Sequence, residues 1–81
     1  MELKDTVDLM LSKDYKDRFK GEYYQLENRY NKLKEMCKKW DNGTLNFKPT
    51  CSREKYDYQL FAMNEYLACL FERAKIEGIE L

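Results

Sequence analysis

Residues 40–51 read WDNGTLNFKPTC and lie between two long, highly charged stretches. The dozen opens with a helix-stopping group, Asp41, Asn42 and Gly43, and closes with Pro49, which cannot continue a helix from the residues before it. Thr50 and Ser52 follow, both able to cap a new helix. The segment therefore predicts a short irregular connection between two helices, and the fold turns on what those helices share.

Upstream, the apolar residues Tyr15, Phe19, Tyr23, Leu26, Tyr30, Leu33, Cys37 and Trp40 are spaced almost entirely by threes and fours. That spacing keeps one face of a helix apolar and matches a coiled-coil seam. Ser12 or Asp14 is placed to cap it, and Asp14–Arg18 and Glu35–Lys39 are acid-before-base pairs at i,i+4. Downstream, Tyr56, Leu60, Met63, Leu67, Leu70 and Ala74 repeat the spacing, Arg73 and Lys75 suit the negative helix end, and Gly78 with Ile79 forms a glycine cap signal. Each helix spans about 39 Å at 1.5 Å per residue. The expectation is an all-α fold: an antiparallel two-helix hairpin over 14–81, with a helix at about 14–40, a loop at about 41–51 and a helix at about 52–77. Residues 1–13, carrying Leu3, Val7, Met10 and Leu11, predict a short extra helix.

The second helix carries more apolar groups than one partner can cover. Tyr58, Phe61, Ala62, Tyr66, Ala68, Cys69 and Phe71 lie off the stripe. A helix apolar over most of its circumference is buried on several sides, and an exposed patch of that size marks an interface. The expectation is a helical homo-oligomer centred on the second helices. The alternative is a monomer whose N-terminal segment folds back over them.

Composition narrows the function classes. The chain has 81 residues, 37% charged and 15% aromatic, with seven tyrosines and a formal net charge of zero. The aromatic load argues against disorder, and zero net charge gives no general pull toward DNA, RNA or an anionic membrane. No apolar run approaches the roughly 18 residues of a membrane span. The opening residues MELKDTVDLMLSKD are acidic where an export signal is basic, so reduced cysteines in a cytoplasm are expected.

Catalytic chemistry is poorly supplied. There is no histidine, and Cys37, Cys51 and Cys69 lack metal-ligand spacing, so no metal and no cofactor are expected. Cys51 alone lies near a helix N-terminus, and it reads first as a partly exposed residue of a helix's first turn, with a nucleophile as the alternative. Gly21, Gly43 and Gly78 are too far apart for a phosphate loop. A binding protein is expected, not an enzyme, with phosphodiester cleavage between subunits as the remaining catalytic alternative.

The basic run Lys32, Lys34, Lys38 and Lys39 reads first as a solvated face favouring the helix C-terminus. The alternative is an anion site, since Trp40, Phe47 and Lys48 follow closely; aromatic faces stack a base and cations hold phosphates. At this loop end Asn42, Thr44, Asn46 and Thr50 add polar groups. A second candidate lies at the other end, around Tyr15, Lys16, Arg18 and Arg73. The stacking candidates are Tyr15, Tyr24, Trp40 and Phe47; the phosphate candidates are Arg18, Lys39, Lys48 and Arg53; the polar readers are Asn42, Thr44 and Thr50. Trp40 also fits the seam register, and Leu45 and Phe47 also fit as plugs of the hairpin end.

The segments YKDRFKGEYYQLENRYNKLKEM, WDNGTLNFKPTC and QLFAMNEYLACLFERAKIEGIEL together resemble a family of very short phage hairpin proteins over residues 14–81. Gly21 and Ser52 stand where such relatives are expected to carry alanine and proline, changes that touch helix propensity and capping. In size and implied oligomerisation the chain is also similar to phage sponges that sequester the nucleotide messengers of the CBASS and Thoeris defences. That resemblance implies an anti-defence protein of the host cytoplasm, binding a cyclic nucleotide or ADP-ribose-type messenger in pockets between subunits. A different class, a module gripping a host protein through its apolar second helix, is the competing expectation.

Overall fold

The computed structural model describes residues 1–81 as three helices and no strands: α1, Leu3–Met10; α2, Tyr15–Asp41; and α3, Arg53–Glu77. The fold is all-α, measuring 43 × 24 × 17 Å.

Local chemistry starts α2 and ends both long helices. Asp14 caps α2 by accepting the Lys16 N–H at 2.9 Å; Ser12 Oγ accepts the Asp14 N–H at 3.1 Å and donates to Asp17 at 2.9 Å. At the other end Gly43 turns left-handed (φ 73°), and the Thr44 N–H reaches back to the Lys39 carbonyl at 2.9 Å. Gly78 does the same for α3 (φ 70°), with the Ile79 N–H on the Ala74 carbonyl at 2.8 Å and the Ile79 side chain buried. These are paired glycine caps in which the residue after the glycine closes the last turn. Ser52 occupies the cap position of α3 but its side chain makes no capping bond. Two expected ion pairs are not formed. Arg18 donates to the Ser12 carbonyl at 3.0 Å instead of meeting Asp14, and Glu35 makes no ion pair with Lys39.

The apolar stripes of α2 and α3 face each other. Phe19, Leu70, Ala74 and Ile79 form the buried cluster, with Tyr23 and Leu26 packed against it. Farther along, Cys37 is buried and the Trp40 ring meets Tyr56 edge-on at 5.9 Å. Contacts pair the start of α2 with the end of α3: Tyr15 with Glu77, Glu22 with Tyr66, Asp41 with Arg53.

The N-terminal segment does not cover α3. α1 packs on α2 and makes no close approach to α3. Thr6 is fully buried, its hydroxyl satisfied by the Leu3 carbonyl at 2.6 Å, and the Met1 carbonyl accepts from Asn28 at 2.7 Å. The off-stripe residues of α3 stay in solvent, Tyr58 at 74% and Phe61 at 65% exposure.

Gly21 has a packing role beyond helix propensity. A Cβ there would lie 2.7 Å from Met10 Cγ, 3.0 Å from the Met10 backbone nitrogen and 3.1 Å from Leu9 Cβ. Alanine gains about 1 kcal/mol in helix propensity, but overpacking costs about 1–3 kcal/mol, and one of the three neighbours is backbone. Gly21→Ala is expected to lift α1 from α2. Hydrogen exchange should speed up over Leu3–Met10 while the α2–α3 amides stay protected; unchanged protection of α1 would refute the close-approach role.

Candidate functional site

The loop after α2 does more than connect. Thr44 is held to Lys39 twice, through its backbone N–H and through its hydroxyl at 3.3 Å. This turns residues 44–47 back along the final turns of α2. Between loop and helix lies a cleft of about 410 Å³ lined by Lys32, Glu35, Met36, Lys39, Thr44, Leu45, Asn46 and Phe47. Lys32, Glu35, Met36 and Lys39 are spaced i, i+3, i+4, i+7 and so share one helix face. Glu35 and Lys39 each stand two residues, about 200° of rotation, beyond the seam residues Leu33 and Cys37. Lys32 and Met36 stand one residue, about 100°, before the same seam members, so the cleft lies across a flank of α2 and takes no residue from α3.

Its chemistry is mixed. Two ammonium groups outweigh one carboxylate, giving a net positive site at a helix end that otherwise favours cations. Phe47, 55% exposed, offers a ring face, Met36 and Leu45 an apolar floor, and Thr44 and Asn46 hydrogen-bonding groups.

Of the residues expected from the sequence, Lys39, Thr44 and Phe47 meet in this cleft. Asn42 is the C-cap residue of α2, and Lys48 and Thr50 are exposed loop residues outside the lining. Trp40 is in the helix seam against Tyr56, as its register also suggested. Arg53 is already engaged: its Nε and Nη2 donate to Asp41 at 3.1 and 3.2 Å and its Nη1 to Asp57 at 2.5 Å. These hydrogen bonds hold the Asp41 carboxyl below its ordinary range and reinforce the Arg53 charge. Tyr24 stacks edge-on with Tyr23 at 5.3 Å.

Lys32, Glu35, Met36, Leu45 and Asn46 complete the lining. The signal for the first three was the stripe shared with Lys39, which separates Lys32 from Lys34 and Lys38 in the same basic run.

The terminal-end candidate is a closed polar cluster. Tyr15 donates to Glu77 at 2.6 Å and accepts from Arg73 at 3.1 Å, while Arg73 Nε donates to Glu77 at 3.1 Å. Arg73 also lies 5.1 Å from the Phe19 ring centroid. Arg18 is held by the Ser12 carbonyl and Lys16 is exposed. Among the cysteines, burial pushes the Cys37 thiol above its ordinary value, while Cys51 and Cys69 are exposed. No three His, Cys, Asp or Glu residues are grouped to hold a metal ion, and no helix is long and apolar enough to cross a membrane.

The helices and cleft define a small all-α protein with a mixed-charge, aromatic-edged recess beside its interhelical loop. Residues 13–76 match the model of the Sequestin family, and the chain belongs to that family. No curated protein and no solved structure matches it.

The Tyr15 cluster carries a pH signature. The Tyr15 hydrogen bond, helped by Arg73, holds Glu77 below the ordinary glutamate value of 4.5, and the same bond raises Tyr15 above 10.0. A depressed carboxyl contributes stability above its unfolded value and loses it as pH falls through the folded one. A raised phenol contributes below its unfolded value and loses it as pH rises through the folded one. The urea midpoint of Tyr15→Phe should therefore trail the wild type by a small margin at pH 7, since every member is exposed. The margin should close below pH 4.5 and again above pH 10; a pH-independent margin would mean that the cluster acts by packing alone.

Proposed function

We propose that this protein is a phage anti-defence sponge: an antiparallel α2–α3 hairpin that self-associates and sequesters a small anionic nucleotide without degrading it. The ligand is a cyclic nucleotide or an ADP-ribose-type messenger of CBASS or Thoeris immunity, withheld from its effector in the host cytoplasm. The observation carrying this reading is the loop-end cleft, where Phe47 stands beside Lys32 and Lys39 with Thr44 and Asn46 alongside. A nucleotide needs a ring to stack on, cations near its phosphates and short polar groups for ribose or base edges. The family's name, Sequestin, supports binding over catalysis. Sequestration needs no proton-moving pair, which suits a chain without histidine.

In the assembled protein each subunit brings this recess to a pocket at the boundary with its neighbour, so assembly multiplies the number of sites.

A second reading, a module that grips a host protein, is favoured by the exposed aromatic groups Tyr58 and Phe61 on α3. Calorimetry against cyclic dinucleotides, cyclic trinucleotides and cyclic ADP-ribose isomers separates the two. The sponge gives saturable binding with ligand recovered intact by mass spectrometry. Loss of stacking costs about 1–3 kcal/mol per base, so Phe47→Ala should weaken binding by about tenfold or more. Lys39→Ala and Lys32→Ala should also weaken it, and Arg18→Ala, at the far end, should leave it unchanged. Silence across the panel defeats the sponge, turnover of the ligand makes the protein an enzyme, and loss through Arg18 alone moves the site to the terminal end.

A further inference from the structure

The outer face of α3 has an order of its own. Tyr58, Ala62, Glu65, Cys69, Glu72 and Ile76 are separated by four, three, four, three and four positions, and every one is exposed. Each stands two residues after a member of the inner stripe, which is about 200° around the helix. α3 thus carries two coiled-coil-like seams back to back, one filled by α2 and one empty.

We infer that the empty seam is filled by α3 of a second copy, running antiparallel about a two-fold axis. This specifies the self-association invoked above and rests on that part of the reading. The two glutamates decide direction. In a parallel, in-register pair Glu65 meets Glu65 and Glu72 meets Glu72 of the other copy, setting like charges in an apolar interface. The antiparallel register centred near Leu67 sets Tyr58 against Ile76, Ala62 against Glu72 and Glu65 against Cys69. Each acidic side chain then lies across a small residue, its stem covering apolar surface and its carboxylate reaching the rim.

The flanks agree with this direction. Lys75, near the end of α3, comes level with Gln59 of the other copy and within two positions, about 3 Å, of Asp57, which Arg53 also holds; symmetry makes the approach twice. Lys75 has no carboxylate partner within its own chain; its ammonium lies 4.6 Å from the Phe71 ring centroid. Phe61, beside the seam, is covered by the same contact. Because no α3 residue lines the loop-end cleft, pairing through α3 leaves both clefts accessible.

Sedimentation and thiol cross-linking of ligand-free, full-length protein test the pairing. The wild type should sediment as a concentration-dependent dimer. Ala62→Arg, which leaves the exposed helix surface intact and should keep its circular dichroism, should weaken the dimer by about a hundredfold or more. For direction, Cys51→Ser and Cys69→Ala are combined, leaving buried Cys37, and Tyr58→Cys and Ile76→Cys are added in separate chains. Oxidation should join the two chains when mixed and leave each uncross-linked alone. Cross-linking of Tyr58→Cys to itself establishes a parallel pair and overturns the inference. So does a monomeric wild type, or an Ala62→Arg variant that dimerises normally. No nucleotide enters these measurements, so failure of ligand binding and failure of this pairing are separately visible.

Discussion

A single apolar seam between α2 and α3 holds this protein, and everything else is arranged around how little one seam can bury. Only seven of 81 residues are buried, and the hydrophobic cluster of Phe19, Leu70, Ala74 and Ile79 occupies one end of the long axis. A domain of this size is normally marginal unless something adds to its core. α1 adds to it by closing down on Gly21, and the Tyr15–Arg73–Glu77 and Asp41–Arg53–Asp57 groups tie the two ends of the seam. Those ties are exposed and individually weak. Their role is registry: they fix which residue of α2 lies opposite which residue of α3.

Much of this was legible because it is periodic or local. The alternating threes and fours of Phe19 to Trp40 and Tyr56 to Ala74 identify two helices and the faces they bury without reference to any distant contact. Gly43 and Gly78 announce helix ends because a left-handed residue is needed there and glycine adopts it without strain. Ile79 was readable as the accompanying apolar contact, and it is buried.

What escaped the sequence depends on partners far along the chain. Gly21 reads as a weak helix residue until Leu9 and Met10 are found against it. Arg53 reads as a free cation until Asp41, across the loop, is seen accepting two of its hydrogen bonds. The cleft required two facts at once, the stripe Lys32–Glu35–Met36–Lys39 and a loop folded onto it. Only the stripe was present in the spacing; the fold-back depends on Thr44 reaching Lys39. Trp40 belonged to both a seam and an aromatic site in the sequence, and in the structure its ring packs edge-on against Tyr56.

The loop's anchorage has an evolutionary consequence. Thr44 alone ties the segment to α2 through side-chain and backbone hydrogen bonds, whereas Leu45, Asn46 and Phe47 contribute to the recess without joining the buried cluster. Drift at those three positions can reshape the recess while the scaffold keeps its stability. Selection can therefore remodel the recess of so small a protein by substitutions within one turn of chain, leaving the helices that carry it untouched.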